Sequence, residues 1–177
     1  MLDRPTADDY PASFQSYVAR VPDGDVLQHL RTQGERTRAM FARLDEAKGA
    51  YQYAPGKWTV KRLLLHVTDG ERLFCYRAMC IARGEQNPLP GFDENLYAGN
   101  DGSDARTLHA IVAEYASVRA ATLTLFAGID ASSWARRGIA NGKPVTAGAL
   151  PWVVAGHELH HLTVLRERYG IGASADA

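Results

Sequence analysis

Leu150-Pro151-Trp152-Val153-Val154-Ala155-Gly156-His157-Glu158-Leu159-His160-His161-Leu162-Thr163-Val164-Leu165 reads as one helix whose apolar stripe runs through two histidines. Leu150, Val153, Val154, His157, His161, Val164 and Leu165 recur at threes and fours, the spacing that gathers side chains on one face. The helix is expected to begin near Thr146, to carry Pro151 in its first turns, where proline is tolerated, and to end at Tyr169-Gly170. Positions i and i+4 lie side by side, so His157 and His161 can converge on one cation. Neutral imidazole suits zinc, nickel, copper and iron. His160 could chelate with His157 at i+3, but the stripe favours His161.

Three more helices precede this one. Val26, Leu30, Gln33, Thr37, Met40, Phe41 and Leu44 predict an amphipathic helix from Asp25 to about Glu46, with Asp23 or Asp25 as N-cap. A loop with Pro55-Gly56 leads to Thr59, which can cap a second helix running to about Arg83, where Gly84 stops it. A third is expected from Ser103 or Asp104, with Leu108, Ile111, Tyr115, Val118, Thr122, Leu125 and Ile129 on its stripe. No segment alternates convincingly with the period of a strand. The pattern predicts an all-α fold, a four-helix bundle. Residues 1–22 read as an N-terminal arm, 23–170 as the bundle and 171–177 as a C-terminal tail. The stretch Glu85 to Gly102, between helices two and three, is long for a bundle connection. Its Phe92 and Tyr97 suggest a packed cover over a site. The connection from Asp130 to Val145 contains Asn141-Gly142, a tight-turn pair.

With 177 residues the chain fits one domain, able to bury roughly 70 % of its unfolded surface. Twenty Lys and Arg balance twenty Asp and Glu, so no basic face recommends a nucleic-acid partner. Met1 to Tyr10 carry Asp3, Asp8 and Asp9 and no apolar run, which predicts neither signal peptide nor membrane span and makes a cytoplasmic setting the expectation. Cys75 and Cys80 would lie about 140° apart on a helix, so both are expected as small buried side chains rather than a disulfide.

Two histidines leave a metal short of ligands. His29, His66 and His109 are the candidates for a third, and His66 is the best placed, because it follows Leu63-Leu64-Leu65 and should point inward. His29 and His109 stand among polar residues near the starts of their helices. Alone, His66 would be a core histidine; the pair on the last helix makes it a ligand candidate. Three imidazoles with a fourth position open form a catalytic type of site, whereas structural sites are closed. Asp69 and Glu158 are possible acceptors for imidazole N–H groups. His157-Glu158-Leu159-His160-His161 also satisfies the His-Glu-x-x-His pattern of zinc proteases, with Glu158 as base. No third histidine follows in the sixteen residues after His161. Glu158-x-x-His161 matches half of a di-iron motif, without a second copy.

Lys57-Trp58-Thr59-Val60-Lys61 leading to His66-Val67-Thr68-Asp69, with the late Gly156-His157-Glu158-Leu159-His160-His161, resembles the DinB/YfiT-like superfamily over nearly the whole chain. The resemblance implies a four-helix bundle with a divalent metal, zinc or nickel, on His66, His157 and His161. It also implies thiol-dependent transferase or isomerase chemistry with mycothiol, bacillithiol or glutathione, and a homodimer. Where the family's last helix often continues Arg-Gly-Gln, this chain has Leu162-Thr163-Val164, a departure that touches substrate surroundings more than ligation. The expected function is a metal-dependent transferase acting on a small molecule with a low-molecular-weight thiol. The alternatives are a metal-assisted hydrolase with Glu158 as base and a metal-stabilised binding or stress-response protein without turnover.

Overall fold

The computed structural model describes residues 2–172; of the expected tail at 171–177, residues 173–177 lie outside the described residues. The helices are α1 (Gln15–Val18), α2 (Val26–Phe41), α3 (Glu46–Gly49), α4 (Val60–Ala82), α5 (Glu94–Gly99), α6 (Leu108–Ala127) and α7 (Leu150–Tyr169). The four long ones, α2, α4, α6 and α7, form the bundle. Local chemistry sets their ends. Asp25 accepts from Leu27 and Gln28, Thr59 from Arg62, and Thr107 from Ala110, each satisfying backbone N–H groups that a helix start leaves unpaired. Gly84 and Gly170 adopt positive φ just past α4 and α7, a conformation that glycine reaches without strain.

Three boundaries differ from expectation: the last helix begins at Leu150 instead of near Thr146, because Thr146 caps the 3-10 turn Ala147–Ala149 that precedes it. The first helix stops at Phe41 instead of Glu46, because Asp45 accepts from the Lys48 N–H and starts the separate turn α3. The third begins at Leu108, since Ser103–Ala105 close into a 3-10 turn and Thr107 supplies the cap. Its inward stripe is also turned by one residue: Arg119 and Phe126 are buried where Val118 and Leu125 were expected, and those two are half-buried. The connection after α6 holds the strands β1 (Arg137–Ala140) and β2 (Lys143–Thr146), an antiparallel hairpin absent from the sequence reading. Asn141 and Gly142 form its turn at φ 51° and 69°, the left-handed pair that a two-residue hairpin favours.

The packing order departs from a simple up-and-down bundle, in which consecutive helices are neighbours. Here α4 packs on α6 and α7, and α2 packs on the same two, so α2 and α4 are diagonal, as are α6 and α7. The α2–α4 and α6–α7 connections must therefore cross an end of the bundle, whereas the long α4–α6 connection joins two neighbours. Residues before α2 fold back so that α1 lies along α7. There Gly156 meets the Tyr17 carbonyl so closely that a Cβ would not fit.

Two apolar clusters fill the interior. One contains Leu30, Phe74, Ile81, Phe126, Leu150 and Trp152; the other contains Phe41, Leu64, Ile111, Tyr115 and Leu165. Arg119 from α6 donates to both carboxylate oxygens of Glu71 at 2.8 Å, to Glu158 at 2.5 Å and to the Leu30 carbonyl at 2.7 Å. Glu71 and Glu158 are 2 % and 1 % exposed. By length and composition α6 passes as a membrane span, yet its inner face carries this buried cation and its neighbours are bundle helices.

Removing one partner from a buried ion set strands the others without water. Arg119→Ala should therefore cost roughly 3–5 kcal/mol of unfolding free energy, read as a lowered urea midpoint, whereas Arg137→Ala on the exposed hairpin should change it by less than about 1 kcal/mol.

Candidate metal centre

His66 sits in the second turn of α4, and His157 and His161 lie one turn apart on α7, the helix packed beside it. The three Nε2 atoms converge, each 3.1 Å from the other two. All three rings are largely removed from water, His66 at 8 % and His157 at 5 % exposure. Burial first, then the neighbouring histidines, depress their basicity: His157 falls to about 3, and His161 lies still further below the ordinary value. For His66 burial again leads, while Glu94 and Asp69 pull the other way. At neutral pH the triad is therefore uncharged and has nitrogen lone pairs to offer.

Three such atoms pointing at one another suit a cation better than they suit each other, since a neutral imidazole has one donor and one acceptor nitrogen. With zinc–nitrogen bonds of about 2.0–2.1 Å, ligand atoms stand roughly 2.9 Å apart at right angles and roughly 3.4 Å apart in a tetrahedron. The observed 3.1 Å lies between them. The triad fits one divalent ion.

Aromatic rings wall the centre. Trp58 lies 4.9 Å from His66, Phe74 5.6 Å from His157, and Tyr17 of α1 5.4 Å from His157 and 5.6 Å from His160. His160 thus packs against Tyr17 and is not in the triad. Phe74 escaped the sequence reading, whereas Phe14 and Tyr17 mark the arm as a segment that packs on the body, without placing Tyr17 at the histidines. Gly70, one turn along α4 from His66, makes room for the His157 ring, because a Cβ there would come within 2.8 Å of His157 Cε1.

The remaining candidates lie elsewhere. His29 bonds the Asp23 carbonyl at 3.1 Å, and His109 is exposed. Asp69 pairs with Arg72 at 2.9 Å. Glu158 is turned into the core, where Tyr115 donates to Oε1 at 2.6 Å and Arg119 to Oε2. Cys75 is buried, its thiol pushed up to about 12 by burial, and Cys80 is half-buried.

A cavity of about 410 Å³ opens beside the centre, bounded by His66 and His157, the arm residues Phe14 and Tyr17, and Phe92 and Glu94 from the segment between α4 and α6. That segment, expected as a cover, contributes α5 and the edge of this cavity.

Two consequences can be measured. His157 is held near 3 against an ordinary 6.5, so the unfolded chain binds a proton that the metal-free fold refuses. Stability is complete above about 6.5 and falls as the pH drops toward about 3; urea midpoints at pH 7 and 5 should show the loss, and His157→Phe should reduce it. Gly70→Ala should weaken zinc affinity by roughly 10- to 100-fold, the range for disturbing the setting of a ligating histidine, as read by competition with a chromophoric chelator. Unchanged affinity would mean that the ring moves aside freely.

A family model described as the DinB superfamily matches residues 29–165. Among solved structures, YfiT from Bacillus subtilis, described as a probable metal-dependent hydrolase with an unusual four-helix bundle topology, superposes with a TM-score of 0.68 at 14 % identity, covering 96 % of this chain and 95 % of that one. A mycothiol-dependent maleylpyruvate isomerase gives 0.68 at 17 % identity, covering 89 % of this chain but 64 % of the isomerase. A DinB-like protein of Bacillus subtilis gives 0.56 at 18 %, covering 80 % and 87 %. A search of curated proteins finds no match. At these identities the structures establish a shared fold, and with the family match over most of its length the chain belongs to the DinB superfamily.

Proposed function

We propose that the protein is a metal-dependent enzyme acting on a small molecule, in which His66, His157 and His161 hold one zinc or nickel ion and a low-molecular-weight thiol is the co-substrate. The observation that carries this reading is the convergence of three imidazoles, two of which, His66 and His157, line a 410 Å³ cavity. A bound divalent ion would lower the pKa of a thiol or water beside it. The protein's own part is to keep the imidazoles neutral by burial, to fix their rings against Trp58, Tyr17 and Phe74, and to exclude water along that wall. The mycothiol-dependent isomerase among the structural neighbours supports thiol chemistry. A homodimer and a cytoplasmic setting belong to the same reading.

Metal-assisted hydrolysis is the second reading, favoured by the description of YfiT. Glu158 is a poor base for it, because both its oxygens are engaged by Tyr115 and Arg119. Glu158→Gln should lower the unfolding midpoint and leave metal content unchanged; loss of hydrolysis at full stability would restore Glu158 as the base.

Elemental mass spectrometry on untagged protein tests the centre itself. The expected result is about one zinc or nickel per chain in the wild type, lost in His161→Ala. A loaded protein that turns over thiol and electrophile pairs supports the transferase; a loaded protein that turns over neither these nor esters and amides is a binding or stress-response protein.

A further inference from the structure

Arg77 lies on α4 about three turns beyond His66, with 4 % of its surface exposed. One Nη2 donates to the Pro90 carbonyl at 2.9 Å, and the guanidinium carbon stands 6.0 Å from the rings of Phe74 and Phe92. Among the described residues no carboxylate pairs with it, and burial alone moves its pKa, downward. A guanidinium has five N–H donors, and a buried cation without a counter-charge is costly. None of its nitrogens is both sealed and unbonded, so the donors left over keep access to water, and Arg77 lines a cavity through which a ligand could reach them. That is the cavity bounded by His66 and His157.

Charge within the cavity is sorted by position. Leu89 bridges to Ala140, which brings the hairpin turn beside Pro90 and so places Lys143, another cavity residue, on the side of Arg77. Glu94 belongs to the histidine side, where its field acts on His66 and Tyr17. Between them lie Phe14 and Phe74, edge to face at 5.7 Å. Along α4 the eleven residues from His66 to Arg77 span about 16 Å between Cα atoms, and the two side chains shorten the gap.

We propose that Arg77, assisted by Lys143, binds the carboxylate of the small molecule whose reacting atom lies at the histidine triad. The site thereby selects monoanions with a carboxylate at one end, a short apolar stem and a metal-seeking group at the other. The planar fork of arginine matches a carboxylate with two parallel hydrogen bonds. The assignment rests on the triad being the reactive centre.

The test is calorimetry at low salt on protein whose zinc content has first been measured, with 6-mercaptohexanoate against 6-mercaptohexanol. The wild type should bind the carboxylate about tenfold tighter or better, Arg77→Gln should bind both alike, and Arg77→Lys should keep part of the preference. A wild type without preference, or a preference that survives in Arg77→Gln, overturns the proposal. Should Arg77→Gln fail to fold, Lys143→Gln on the exposed hairpin decides: a several-fold smaller preference supports the anion site, and an undiminished one overturns it. Failure to load zinc would sink the metal reading alone, because binding of hexanoate to metal-free wild type, absent in Arg77→Gln, still reports the anion site.

Discussion

One guanidinium holds the bundle in register. Arg119 of α6 reaches Glu71 on α4, Glu158 on α7 and the Leu30 carbonyl on α2, so a single side chain touches all three other long helices. Apolar packing alone tolerates small slips, because one aliphatic side chain can replace another at modest cost. A buried ion set does not, since displacing one helix by a turn leaves a carboxylate or the cation unpaired in a medium that cannot solvate it. The network lies between the two apolar clusters and sets where each begins.

The histidine centre inherits its geometry from that network. Glu158 follows His157 directly in α7, and fixing Glu158 on Arg119 and Tyr115 fixes the rotation of the helix, so His157 is directed at His66 on the neighbouring face. Glu71 does the same for α4, immediately after Gly70, whose missing Cβ admits the His157 ring. Burial then performs the electrostatic preparation: the imidazoles are kept neutral by the loss of water, and neutral imidazole is the form that binds a metal. Glu158 is thus engaged by Tyr115 and Arg119, although its position in the His-Glu-x-x-His pattern makes it look like a general base.

Helix order decides what surrounds the centre. Because α6 and α7 are diagonal, the connection holding the hairpin crosses a bundle end, and there it meets the segment between α4 and α6 and the folded-back arm around one cavity. Tyr17 and Phe14 come from the arm, Phe92 and Glu94 from the long connection, and Lys143 from the hairpin. The bundle supplies the histidines, and its irregular parts supply the walls where a small molecule would be distinguished from its analogues.

The sequence specified the helices, because 3.6-residue periodicity, Thr59 as a cap and glycines at helix ends are properties of neighbouring residues. It also determined that His157 and His161 share a face, and it singled out His66, a histidine after three leucines. Arg119 and Glu71 were illegible, since on a helix each reads as a solvated charge until the partner 48 residues away is known. The hairpin was half legible: Asn141-Gly142 announced its turn, but four-residue strands carry too short an alternation to detect. Tyr17 beside His157, Glu158 turned inward and Arg77 on the same cavity as His66 and His157 emerge only once the helices pack. Each depends on which helix faces which, and that choice is made by burial and ion pairing between residues far apart in the chain.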